Sequence, residues 1–404
     1  RIKAIGNALT VPKGAIILSA KGLHVYPGLI DAGSQLGLTE IGEVASSADY
    51  SEGGAFQPDL QALTAVNPAS EHYAITRNEG ITATLTHPGS SRGFGGGGSL
   101  IVGQGAVINL CGWTPELMKV KSDAALHVTF PEGGRLPRAF RAAAPADFLQ
   151  RQRDQLREQT RRLKDYFDRA KRYAAAKTSG SMPVDPQMEA MLPYVTDRLP
   201  VVFTVNSLSG IRQMIAFADQ EGLKPIIAGG AEAWVVADML AQKHIPVIYS
   251  LPMENSLATS PDRNDYDPYD TLFAAPGVLQ RAGVKVCFES SSAPMAKNLP
   301  TQVGITCAYG MDHTAALRAL TADAAEILGV SDQMGSLEAG KLANVIVTDG
   351  DPMEITTHLH ALFIAGKPCP LESKHTRLYQ TYLQRLPALT PAKNGAKAQH
   401  TALH

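Results

Sequence analysis

The sequence predicts an α/β protein built from parallel βα units, and three observations carry that prediction. Residues 199–330 alternate short β-branched apolar runs with amphipathic stretches of helical period. The runs 200–204, 225–228, 245–249 and 284–288 read as strands; 211–221, 231–242, 270–282 and 313–328 read as helices. Strands that are apolar throughout are buried on both faces, as in a parallel sheet lying between helices. Ahead of this block, residues 29–30, 81–86, 101–110 and 124–130 supply further strands separated by loops. The length, 404 residues, exceeds one small core and fits a large barrel with a minor domain. Four βα units behind a strand-and-loop half suit a (β/α)8 barrel. A doubly wound open sheet has the same periodicity and stays open on that ground alone.

Taken in order, residues 1–25 alternate in part, with a denser apolar run at 15–18 and a turn at Pro12-Lys13-Gly14, so they read as hairpin-like β structure. A Pro27-Gly28 turn then delivers the chain into the apolar pair Leu29-Ile30, and Asp31 follows. The next loop carries Glu40, Glu43, Asp49 and Glu52, which read as solvated, with pocket lining as the alternative. His87-Pro88-Gly89 closes the strand 81–86, and His87 is the best-placed histidine, although one His without a partner is not a site. Four consecutive glycines at 95–98 lack a following Gly-Lys-Ser/Thr, so a flexible loop over the barrel mouth fits better than a phosphate loop. Residues 131–144 form an irregular basic connection.

Residues 145–177 read as one long helix, with Leu149, Leu156 and Leu163 seven apart. Its many Arg and Lys residues are interleaved with Asp154, Glu158, Asp165 and Asp168. That pattern describes a solvated helix with i,i+4 pairs rather than a nucleic-acid face; packing against a partner is the alternative. The tail from about residue 387 is polar and reads as loose.

Net charge is −1, from 37 basic and 38 acidic residues, which gives no general attraction to nucleic acid or a membrane surface. No apolar run approaches the ~20 residues of a membrane span. The four cysteines, 111, 287, 307 and 369, form no CxxC or zinc-knuckle spacing and read as buried thiols. The first residue is Arg rather than Met, so a trimmed or truncated start is expected.

The stretch 22–38, GLHVYPGLIDAGSQLGL, resembles the first barrel strand of the amidohydrolase superfamily, whose pattern is PG-[LMF]-[IV]-D-x-H-x-H. Pro27, Gly28, Leu29, Ile30 and Asp31 fit; Gly33 and Gln35 stand where the family has its two metal-binding histidines. Residues 77–82 resemble the family's entry into strand two. Residues 335–355, GSLEAGKLANVIVTDGDPMEI, are similar to its return to a β-domain, with Asn344 in place of the usual Asp. The resemblance lies closest to the imidazolonepropionase and prolidase-like branch. It implies a TIM-like (β/α)8 barrel at 26–334 and a small composite β-sandwich built from 1–25 and 335–404. Strands at 345–348 and 362–364 should pair with the N-terminal segment.

A barrel enzyme carries its site on the loops at the C-terminal strand ends. A hydrolytic metal needs His, Asp or Glu ligands converging there with a position open for water. The resemblance places the family's remaining ligands at Thr204, Gly229 and Ser291. The five vacated positions are thus Gly33, Gln35, Thr204, Gly229 and Ser291, with Asp31, His87, Glu232 and Glu289 as further pocket residues. Lys119 and Lys121 are weak candidates for a carbamylated lysine. His127, His244, His313, His358 and His360 read as structural or exposed. Ser290 to Ser292 lack a nucleophile elbow. Paired-carboxylate chemistry would draw on Glu40, Glu43, Glu232, Glu254 or Glu289.

The resemblance with substituted ligands implies a non-catalytic structural or regulatory subunit without a metal, forming a homo-oligomer or a hetero-oligomer with an active amidohydrolase relative. The alternative is an active hydrolase of amide, cyclic amide or dipeptide C–N bonds with relocated zinc at His87, His127 or pocket carboxylates. A third reading is a module holding a small polar ligand. A periplasmic or exported location is expected, with the cytoplasm as the alternative.

Overall fold

The computed structural model describes residues 1–7, 9–42, 44–89, 98–133, 145–180, 183–251 and 267–389, with Ala146 and residues 387–389 described through their backbone alone. The glycine run at 95–97, most of the stretch 131–144, residues 252–266 with Glu254, residues from 390 onward and Glu43 lie outside these residues.

A short strand β1 (His24–Pro27) leads into the barrel. Eight strands form one sheet in chain order. They are β2 (Leu29–Ser34), β3 (Ile81–Thr86), β4 (Ile101–Asn109), β5 (Lys119–Thr129), β6 (Pro200–Val205), β7 (Lys224–Gly229), β8 (Val247–Ser250) and β9 (Val286–Glu289). Just past β9, the Ser291 backbone N–H donates to the Gly33 carbonyl at 3.0 Å and closes the sheet onto β2. The α/β TIM-like barrel is therefore present.

It has one reversed strand. β4 runs antiparallel to both neighbours, with Thr86 opposite Ala106 and Ile101 opposite Val128, while the other laddered pairs in the sheet are parallel. Residues 110–118 are too few for a parallel crossover, which takes about a dozen residues or more, so β5 returns beside β4 as a meander.

Alternate residues divide two cores. Ile30, Ala32, Leu85, Val107, Val202, Ile226, Ala228, Ile248 and Cys287 fill the barrel interior. Leu29, Ile81, Val201, Phe203, Ile227, Val247 and Phe288 face the helices. The helices begin where the sequence supplies caps. The Ser207 side chain accepts from the Gly210 N–H to start Leu208–Glu221, and Gly222, at φ 68°, ends it. Asp185 accepts from the Gln187 and Met188 N–H groups to start Pro186–Val195.

The helix Ala146–Thr178 runs 33 residues. It buries Leu163, Phe167, Ala170 and Tyr173 and shows the i,i+4 pairs Arg161–Asp165 and Lys164–Asp168. Where one helix was expected at 313–328 there are two, His313–Ala319 and Ala322–Ile327, broken at Thr321 (φ −136°, ψ −94°).

β10 (Val345–Thr348), β11 (Leu359–Ile364) and β12 (Lys367–Pro368) continue the small sheet from β1, with Tyr26 opposite Ile346. The hairpin expected at 1–25 is reduced to β1 and a turn in which the Ala15 N–H donates to the Pro12 carbonyl. Ile16 is 98% and Ile17 78% exposed, so this apolar run has no layer to pack against and no burial to hold it as a strand. Ile2 instead exchanges backbone bonds with Gly340 and Lys341.

Candidate functional site at the barrel mouth

The C-terminal ends of the strands bring together most of the residues that the sequence singled out. Asp31 is fully buried in β2. Its carboxylate accepts from the Ser290 backbone N–H (3.0 Å), the Ser290 hydroxyl (2.6 Å) and the Gly33 N–H (3.2 Å), and so clamps β2 to the end of β9. Burial pushes its pKa up to about 7, against the pull of those hydrogen bonds.

Glu289, also buried, ends β9 and points across the mouth. It accepts from the Ser250 and Ser291 hydroxyls and the Gly229 backbone. Burial raises its pKa to about 7, and the Asp31 charge adds to the rise. The Glu289 side chain lies over Gly33, where a Cβ would come within 2.2 Å of Oε2. Only a glycine leaves room for it.

Gly229 shows the same arrangement. A Cβ there would lie 2.5 Å from Asn206 Oδ1, and φ is 87°. The Asn206 carboxamide occupies that space and accepts from the Ala231 N–H at 3.3 Å. Ser291 sits beyond β9 at φ 54°, its hydroxyl 3.2 Å from that of Ser250. Thr204 is the exposed residue of β6. Gln35 lies just past β2 with its Nε2 over the backbone of Gly89, 2.6 Å from where a Cβ would stand.

His87 and His127 stack at the mouth with ring centroids 4.4 Å apart and planes within 6°. His87 Nδ1–H donates to the Pro88 carbonyl at 2.8 Å. His127 Nε2 is buried with no hydrogen-bond partner, against Gly105. Burial lowers both pKa values, that of His127 well below the ordinary range with His87 adding, so both rings are neutral at pH 7.

Glu232 lies just past the end of β7. It accepts from the Leu208 N–H at 2.5 Å and holds the start of the helix Leu208–Glu221. Glu132 holds the same turn by accepting from the Ser207 N–H and hydroxyl, each at 2.7 Å. Glu40 accepts from Asn67 on the surface. Lys119 pairs with Glu116, and Lys121 donates to the Leu328 carbonyl at 3.2 Å. Both lysines lie toward the start of β5, away from the mouth. His313 pairs with Asp351, and His358 and His360 with Asp349, far along the chain in the small domain.

Asn206, Glu132 and the His87–His127 stack are what sequence reasoning missed. The available signal was position, since 132 and 206 each follow a strand end. The site offers two buried carboxyls that titrate near neutrality, two neutral imidazoles and a rim of hydroxyls. Among the described residues, no group of three or more His, Cys, Asp or Glu is arranged to hold a metal ion.

Comparison with known proteins agrees with this architecture. Residues 202–373 match the sequence model of the amidohydrolase family. The amidohydrolase tasK of Hapsidospora irregularis is 23% identical over 394 residues, 92% of this chain and 39% of that protein. The chain thus spans about two fifths of the length of that relative. Among solved structures, an amidohydrolase from Thermotoga maritima MSB8 superimposes with a TM-score of 0.76 at 24% identity, covering 91% of this chain and 92% of that one. A prolidase complexed with N-methylphosphonate-L-proline gives 0.50 at 16% identity, with 90% of each chain covered. These structural likenesses establish the fold.

Proposed function

We propose that this chain, whose residues 202–373 match the amidohydrolase family model, is a non-catalytic member of that superfamily, a structural or regulatory subunit whose barrel mouth is filled by its own side chains. The observation that carries the reading is the pair of exchanges at Gly33 and Gly229. The space a side chain would need at 33 holds the Glu289 carboxylate, and that at 229 holds the Asn206 carboxamide. A hydrolytic metal of the family's kind would draw on positions 33, 35, 204, 229 and 291. Gly, Gln, Thr, Gly and Ser present no imidazole or carboxylate there. The residues present do not fit that metal.

Metal content tests the proposal directly. Protein dialysed against zinc and then against buffer is expected to retain less than about a tenth of an equivalent by mass spectrometry, because a site without convergent ligands does not hold zinc through dialysis. One or two retained equivalents would overturn the reading.

A second reading is favoured by one observation, the unpartnered buried Nε2 of His127 beside His87. An active C–N hydrolase with a relocated metal would use that pair. It predicts turnover of cyclic amides or dipeptides that is abolished in His87→Ala.

A subunit role needs a partner surface. The helix Lys374–Leu389 exposes Leu378, Tyr379, Tyr382 and Leu383, spaced to share one face. This face supports assembly with a second copy or with an active relative. Mass photometry of Tyr382→Glu is expected to show a smaller species than wild type. No helix among the described residues is long and apolar enough to cross a membrane.

A further inference from the structure

At the end of the barrel opposite the mouth, four successive turns carry the chain from a helix into β6, β7, β8 and β9. Each turn passes through the left-handed region once, at Arg198 (φ 55°), Gly222 (φ 68°), His244 (φ 53°) and Gly283 (φ 87°). After each, the next N–H returns to the preceding helix: Leu199 to Pro193, Leu223 to Ala218, Ile245 to Leu240 and Val284 to Leu279. The same kind of turn is thus built four times. Glycine takes this backbone freely, whereas a residue with a side chain is strained in it. Two of the turns use glycine; the other two use an arginine and a histidine. Both of these side chains are exposed, so packing does not hold them there.

Arg198 and His244 line one hollow of about 620 Å³ together with Lys224, Lys243 and Lys285. Ile245 and Val284 give it an apolar wall. Among the described residues, the acid that lines it is Glu326, which pairs with Lys285, while Lys243 pairs with Asp219 at 2.7 Å. Arg198 and Lys224 have no ion-pair partner among the described residues. The positive field reaches Lys121, whose pKa burial lowers and the Lys224 charge lowers further, against the pull of Asp332 and Asp123. A cation beside a helix C-terminus complements the helix dipole, which accounts for Lys243. The dipole does not account for two cationic or hydrogen-bonding side chains set on strained backbone where glycine serves in the sister turns.

We propose that this hollow binds an organic phosphate, a multiply charged anion carried on a small apolar body. The Arg198 guanidinium, the Lys224 ammonium and a ring N–H of His244 donate to the phosphate oxygens, and the wall at Ile245 and Val284 receives the body. The site lies at the far end of the barrel from Asp31 and Glu289, and its occupancy does not depend on what the mouth does.

Titration calorimetry of the full chain with phenyl phosphate in low-salt buffer is expected to give a Kd below about 1 mM. Lys224→Gln and Arg198→Gly should each weaken binding at least about tenfold, because each removes a charge-assisted contact. Arg198→Gly and His244→Gly carry a second readout. Both relieve left-handed backbone, so their urea midpoints should rise while their affinity for phenyl phosphate falls. Added phenyl phosphate should raise the urea midpoint of wild type and leave that of Arg198→Gly nearly unchanged. Inorganic phosphate, which lacks the apolar body, should bind several-fold more weakly. A wild-type Kd above about 1 mM, undiminished binding in Arg198→Gly, or equal affinity for the two phosphates would overturn the proposal.

Discussion

Gly33 and Glu289 are a matched pair, each explaining the other. A side chain at 33 collides with the carboxylate of 289, so Gly33→His forces Glu289 out of its nest of donors. Overpacking of this kind costs typically 1–3 kcal/mol, about 2 here. Urea denaturation should show that loss, and Glu289→Gly on the same background should recover most of it. The protonation of this pair also has a stability signature. The folded-state pKa values of Asp31 and Glu289 are raised to about 7. The folded protein therefore keeps protons that the unfolded chain releases above about pH 4, and stability falls as pH rises from 4 through 7. His87 and His127 act in the opposite sense: both pKa values are lowered, so their contribution grows as pH rises toward the ordinary histidine value. Glu289→Gln removes one of the two acid terms. Relative to wild type, that variant should gain up to ~3 kcal/mol between pH 5 and pH 8 in denaturant titrations. At this scale the sequence shows which residues stand at 33, 35, 204, 229 and 291. It does not show what fills the space beside them, because Glu289 and Asn206 reach those positions from other strands.

Among the elements, the helix Ala146–Thr178 shows how burial sets the strength of an ion pair. Its outer pairs, such as Arg151–Asp147, are exposed on both sides, and Arg151→Ala should cost less than ~0.5 kcal/mol. Its inner face differs. The Glu221 side chain is 1% exposed and is held by Lys171 at 2.5 Å and Lys164 at 3.6 Å. Lys171→Met leaves that carboxylate with one distant partner, and a loss of about 2 kcal/mol is expected, lower than for a fully buried pair because the lysines reach solvent. Denaturation of the two variants side by side checks the contrast. The βα alternation from 200 to 289 was legible because apolar runs and amphipathic faces are local properties. The direction of β4 was not, since a period of two is the same whichever way a strand runs. The break at Thr321 was also hidden, because the apolar pattern continues through it.

For the whole molecule, the barrel and the small sheet meet at Asn344, the residue that departs from the familiar return motif. Its carboxamide donates to Asn109 Oδ1 at 2.8 Å and accepts from the Ala365 N–H at 2.8 Å, while its carbonyl receives the Gly28 N–H at 2.9 Å. One buried side chain thus ties the base of β4 to the turn after β11. Asn344→Ala strands both partners, and a loss of about 2 kcal/mol is expected in calorimetry. The two end motifs made this composite arrangement readable before any coordinates. The N-terminal hairpin was misjudged because residues 15–18 are apolar without anything to cover them.

The reversed strand has a consequence for the order of assembly. β4 pairs only with β3 and β5, its neighbours in sequence, whereas β9 pairs with β8 across a longer excursion, and β2 meets β9 only after the chain has travelled the whole circuit. Local pairings lose less chain entropy on closure and form earlier. Pulse-labelled hydrogen exchange during refolding should therefore protect the amides of β4 before those of β9. The seam between Gly33 and Glu289 would then be the last part of the barrel to form. The packing that fills the mouth would come into being only once the rest of the chain has committed to its fold.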